Sequence, residues 1–126
     1  NDVSYKDFQT GAYEFMPGKD ITLVATGSEL ELAVEISKNL KDLSVQIISA
    51  PILNKINKEK IESLNLNQNI FTLELGRSIG WDSYIENITR SFSIDSFGES
   101  APIEALTERF SFSAKKISDE IRSLLN

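Results

Sequence analysis

The chain has 126 residues, 40% of them hydrophobic and 25% charged. That is the size and balance of one globular domain, and it excludes a disordered chain. The net charge of −6 repels phosphate backbones and anionic lipid, so neither nucleic acid nor a membrane is expected as a partner, and no apolar run nears the roughly 20 residues of a spanning helix. With no cysteine and no histidine, disulfides, thiolate nucleophiles, zinc–thiolate sites and the commonest general base are all excluded from this stretch.

The chain opens on Asn1, and its single methionine is Met16. It is therefore expected to be a piece of a longer polypeptide. Residues 1–10 are polar and aperiodic and read as a lead-in or linker, with residues 11–126 as the domain. Gly11 to Met16 alternates weakly and reads as a short edge strand. Pro17-Gly18-Lys19-Asp20 is turn chemistry. Two strands joined by so short a link run antiparallel, because a parallel return needs a crossover.

Ile21-Thr22-Leu23-Val24-Ala25-Thr26 has the β-branched richness and length of a buried strand. Gly27-Ser28 ends it, and Ser28-Glu29-Leu30-Glu31 fits a capping box, Ser28 accepting from the Glu31 N–H. The helix that follows, reaching to Asp42, places Leu32, Ala33, Ile36 and Leu40 on one face. Glu29, Glu35, Lys38 and Lys41 fall largely off that face. Leu43 to Ala50 reads as a second core strand, stopped by Pro51. Lys58 to Leu66 reads as a short amphipathic helix with Ile61 and Leu64 inward.

Ile70 to Leu75 is the third core strand. Gly76-Arg77-Ser78-Ile79-Gly80 breaks it, and Trp81 to Ile88 is expected to be helical. Ser91 to Asp95 is the last strand. Ser100 and Pro102 start a helix running to about Arg109. Ser113 is expected to cap a separate terminal helix with Ala114, Ile117, Ile121 and Leu124 at helical spacing. The sum is an α/β fold of three layers, α/β/α, with a five-stranded mixed sheet whose first strand is antiparallel at an edge.

Some residues invite a chemical reading. Gly27 and Ser28 lie between the carboxyl end of a strand and the start of a helix, where anions are favoured, and they form a candidate anion or regulatory site. Against this, Glu29 and Glu31 repel phosphate, and the pattern matches neither GxGxxG nor the Walker sequence. Glu74 is a carboxylate near a strand's end, with Arg77 as a possible ion partner. Trp81 and Tyr84 are core or subunit interface. Phe97, Gly98 and Ser100 belong to the chain's most specific string, Phe97-Gly98-Glu99-Ser100-Ala101-Pro102.

Ala25-Thr26-Gly27-Ser28-Glu29 with Glu31-Leu32-Ala33 resembles the ATGSE-(V/L)-ELA start of the transketolase C-terminal domain, and Phe97 to Pro102 resembles that domain's FG-x-SAP loop. Weaker likenesses lie around them. Gly11-Ala12-Tyr13 resembles GAY/GGY, Ser49-Ala50-Pro51 resembles SMP, Leu73-Glu74-Leu75-Gly76 resembles VEAG, and Phe110-Ser111-Phe112-Ser113 resembles FGFT. Ser111 stands where the family has glycine and Ala50 where it has methionine. Residues 53–69 form a shorter and more polar stretch than is typical.

The resemblance implies a transferase of the pentose phosphate pathway, moving a two-carbon ketol unit between sugar phosphates in a cytoplasmic homodimer. In that enzyme, thiamine diphosphate and a divalent metal, Mg or Ca, are held by the other domains through a GDG…N motif, histidines and a glutamate. This chain has no Gly-Asp-Gly and no histidine, so no catalytic, cofactor-binding or metal-binding residue is carried over to it. It is expected to be structural and dimer-forming, catalytically silent alone, and partnered by the remaining transketolase domains. Trp81, Tyr84, Phe97, Gly98 and Ser100 are the expected interface, and the isolated domain is expected to fold. The alternatives are the equivalent domain of another thiamine diphosphate enzyme, or a stand-alone small-ligand regulatory module built on Gly27 and Ser28.

Overall fold

The computed structural model describes residues 11–26, 29–50, 58–75, 85–94 and 103–125. In chain order the elements are β1 (Tyr13–Met16), β2 (Ile21–Thr26), α1 (Leu30–Asn39), β3 (Val45–Ala50), α2 (Lys58–Ser63), β4 (Ile70–Leu75), β5 (Ile88–Ile94) and α3 (Ile103–Leu125). The five strands form one sheet in the order β1-β3-β2-β4-β5. β2, β3, β4 and β5 are parallel and β1 is antiparallel at the edge, as the sequence leads one to expect.

Strand alternation divides the core. Ile21, Leu23, Ala25, Val45, Ile47, Phe71 and Leu73 face one way. They pack with Leu32, Ala33 and Ile36 of α1 and Ala114, Ile117 and Ile121 of α3. Val24, Ile48, Ala50 and Ile70 face the other way, with Ala12, Ile61 of α2 and Ile85. Every residue of β3 is buried, the pattern of a parallel strand covered on both faces.

β1 and β2 run antiparallel but are not neighbours, because β3 lies between them. The link Pro17-Gly18-Lys19-Asp20 therefore crosses the start of β3. A Cβ on Gly18 would sit 2.1 Å from the Val45 carbonyl carbon and 2.2 Å from the Gln46 nitrogen. Only glycine allows this crossing. The Asp20 and Ile21 N–H groups both donate to the Ser44 carbonyl, which anchors the link to the residue before β3.

Five expectations are corrected. The N-cap of α1 is Glu29, which makes no side-chain cap bond; Ser28 lies outside the described residues. Glu29 is also buried rather than off the apolar face, because its carboxylate turns inward to accept from the Thr26 hydroxyl. The helix expected to reach Ile88 does not, since 85–87 are non-helical and Asn87 has a φ of 62°, a left-handed conformation that breaks a helix. β5 begins at Ile88, three residues earlier than expected. Finally, the two helices expected either side of Ser113 are one, α3, running through it. Its sequence carries neither Gly nor Pro, and serine, unlike those two, costs a helix interior little.

Candidate functional site

The carboxyl ends of the parallel strands are where an open α/β sheet presents a ligand crevice. β2 ends at Thr26 and β4 at Leu75. Three polar side chains described there are drawn inward. The Thr26 hydroxyl donates to the Glu29 carboxylate, and Glu29 is 4% exposed. Glu74 is 1% exposed and follows Leu73, the partner of Ala25 across the β2–β4 ladder. Two carboxylates are thus buried near the ends of adjacent strands.

The remaining sequence candidates lie outside the described residues. These are Gly27 and Ser28 of the anion site and Trp81, Tyr84, Phe97, Gly98 and Ser100 of the interface, together with Arg77. Metal or cofactor chemistry has a poor donor set here. The chain has neither His nor Cys, and among the described residues no three of His, Cys, Asp or Glu converge on a metal-sized site. The residues present do not fit a diphosphate–metal centre.

At the opposite, amino-terminal end of the sheet lies a polar network that the sequence reading missed. The Thr22 hydroxyl donates to Gln46 Oε1 and accepts from the Asn67 N–H at 2.9 Å. Gln46 Nε2 donates to the Glu14 carboxylate at 2.8 Å and to the Leu64 carbonyl at 3.2 Å. Asn67 Nδ2 donates to the carbonyls of Ile21 at 3.0 Å and Gly18 at 3.1 Å. Thr22 and Gln46 are buried, and buried polar groups need such partners. The signal was present: Thr22 and Gln46 each interrupt an apolar strand run. A cavity of about 500 Å³ opens beside the network, lined in part by Glu14, Lys19, Ser44, Gln46 and Asn65.

A second tie holds α3 to the end of α1. Arg122 donates in two-pronged fashion to Asp42, at 2.9 and 2.7 Å, and to the Asn39 carbonyl at 3.2 Å. The side-chain bond from Arg122, with Asp42's own backbone bond second, holds the Asp42 carboxyl below its ordinary value.

The family model for the transketolase-like TK C-terminal domain matches residues 11–113. The chain belongs to the transketolase C-terminal domain family. It is similar to a transketolase of Staphylococcus aureus strain MW2, 29% identical over 98% of this chain and 20% of that protein. It is similar also to a transketolase of Bacillus subtilis strain 168, 30% identical over 94% of this chain and 19% of that protein. Among solved structures, transketolase from Campylobacter jejuni superposes with a TM-score of 0.70 at 28% identity, over 98% of this chain and 20% of that one. The chain thus spans about a fifth of the length of the curated transketolases it matches. Within this family the described fold is the expected one, a five-stranded mixed sheet with one antiparallel edge strand. Among the described residues no helix is long and apolar enough to cross a membrane.

Proposed function

We propose that this chain, with residues 11–126 as the domain and residues 1–10 as its link, works as the C-terminal domain of a transketolase. The full enzyme would be a cytoplasmic homodimer of the pentose phosphate pathway, transferring a two-carbon ketol unit between sugar phosphates. Thiamine diphosphate and a divalent metal would be held by the other domains. In this reading the chain is structural, contributes to assembly and is catalytically silent alone. The observation that carries it is collinear: the family match covers residues 11–113, and the transketolases that match along nearly the whole chain are about five times its length. The donor set supports the silence, because a chain without histidine lacks the usual proton carrier for acid–base work at neutral pH.

The test is the mass of the native product, detected in its source cell with an antibody to this chain, followed by a ketol-transfer assay. The expected product is several times larger than 14.1 kDa and active with thiamine diphosphate, while the 126-residue chain alone turns over no sugar phosphate. A native product of about 14.1 kDa with no thiamine diphosphate-binding partner overturns the reading.

A further inference from the structure

We propose that the cavity at the amino-terminal end of the sheet binds a small zwitterion with an apolar body, the chemistry of a free apolar α-amino acid. The proposal stands apart from the transketolase reading, because this chain alone supplies the lining residues it uses. The volume of about 500 Å³ lies within the roughly 300–1,000 Å³ of small-molecule sites. The wall joins three segments distant in sequence: β1 with the link that follows it, the start of β3, and the end of α2. Glu14 and Lys19 both line this cavity, yet among the described residues neither forms an ion pair with the other or with any third group. Opposite charges that share a cavity without pairing are complemented by a ligand that carries both signs, a cation for Glu14 and an anion for Lys19.

Hydrogen-bond accounting at Gln46 identifies the cation as an ammonium. Gln46 lines the cavity and is 2% exposed. Its Oε1 accepts from the Thr22 hydroxyl. Its Nε2 faces three acceptors, the Glu14 carboxylate at 2.8 Å, the Leu64 carbonyl at 3.2 Å and the Asn65 carbonyl at 3.4 Å. A side-chain amide has only two N–H groups, so three acceptors share two hydrogens and the farthest, the Asn65 carbonyl, is the least satisfied. Asn65 has a left-handed φ of 53°, a conformation costly enough outside glycine to need support from its surroundings. An ammonium carries three N–H donors, enough for the surplus carbonyl and for the Glu14 carboxylate together. Lys19 then takes the ligand's carboxylate. Pro17 and Leu64 line the same cavity and supply apolar contact for the ligand's side chain.

The experiment is titration calorimetry on the full-length polypeptide, with L-leucine as the probe. Two truncated probes accompany it: 4-methylpentanoate, which is leucine without its ammonium, and 3-methylbutylamine, which is leucine without its carboxylate. Leucine is expected to bind saturably and each truncated probe about fivefold or more weaker, the upper range for an exposed ion pair. Glu14→Gln and Lys19→Met are each expected to weaken leucine binding by about fivefold. Both side chains are exposed, and glutamine at position 14 keeps an oxygen for Gln46, so the fold is retained. No saturable binding up to about 10 mM leucine overturns the proposal. Truncated probes that bind as tightly as leucine overturn the zwitterion, and leucine binding unchanged in both variants overturns the site.

Discussion

Gly18 bears the consequence of a strand order that local sequence does not announce. Its missing side chain lets the link from β1 to β2 pass over the Val45–Gln46 peptide, and a methyl group there meets backbone that cannot swing aside. Gly18→Ala is expected to destabilise the chain by about 1–3 kcal/mol, the usual cost of forcing atoms into a filled site. The measurement is the denaturant midpoint. An unshifted midpoint would show that the link rides freely over β3. Pro17-Gly18 was legible as a turn because turn chemistry is local. The contact that makes the glycine necessary was not, because it joins residues 27 positions apart. The same limit hid the Thr22–Gln46–Asn67 network, whose members are individually ordinary and acquire meaning only when β2, β3 and the approach to β4 are brought together.

The two central strands β2 and β4 were legible because each is a short apolar run bounded by a turn. β2 and β4 have the limits read from sequence. Helix ends fared less well. Ser28-Glu29-Leu30-Glu31 has the spacing of a capping box, yet tertiary burial of Glu29 and its bond from Thr26 decide the geometry at the start of α1. Ser113 looked like a cap and lies instead inside α3, with Ser118 further along donating to the Ala114 carbonyl at 2.7 Å. The difference is testable. A proline is tolerated at the first turn of a helix and costs about 3 kcal/mol in its interior. Ser113→Pro is therefore expected to lower stability by about 3 kcal/mol, read from the denaturant midpoint, with a loss of helical circular dichroism. A change within about 0.5 kcal/mol, the range of a harmless surface substitution, would restore the two-helix reading. The candidate interface and anion residues were named from likeness and turn chemistry. Neither argument includes packing, so neither could find the buried Glu29–Thr26 contact beside them.

The described core closes around the central strand. β2 is flanked on both sides by parallel partners, and both faces of the sheet are covered. Phe71, with no exposed surface, stacks on Phe92 at 6.3 Å between ring centroids, which ties β4 to β5 on the face covered by α1 and α3. Arg122 fastens α3 to the loop after α1, so elements distant in sequence are held to one another rather than only to their neighbours. A core closed in this way is expected to fold without further polypeptide. The 126-residue chain is expected to unfold in one cooperative transition, with far-ultraviolet circular dichroism and Trp81 fluorescence giving coincident melts, as two-state behaviour requires. If the two probes separate, or the melt is broad, the domain depends on the rest of the enzyme for its packing. Because the core is built from the sheet and its helices, docking should add stability without creating the fold, raising the melting temperature of the domain within the full-length protein while leaving its cooperativity intact.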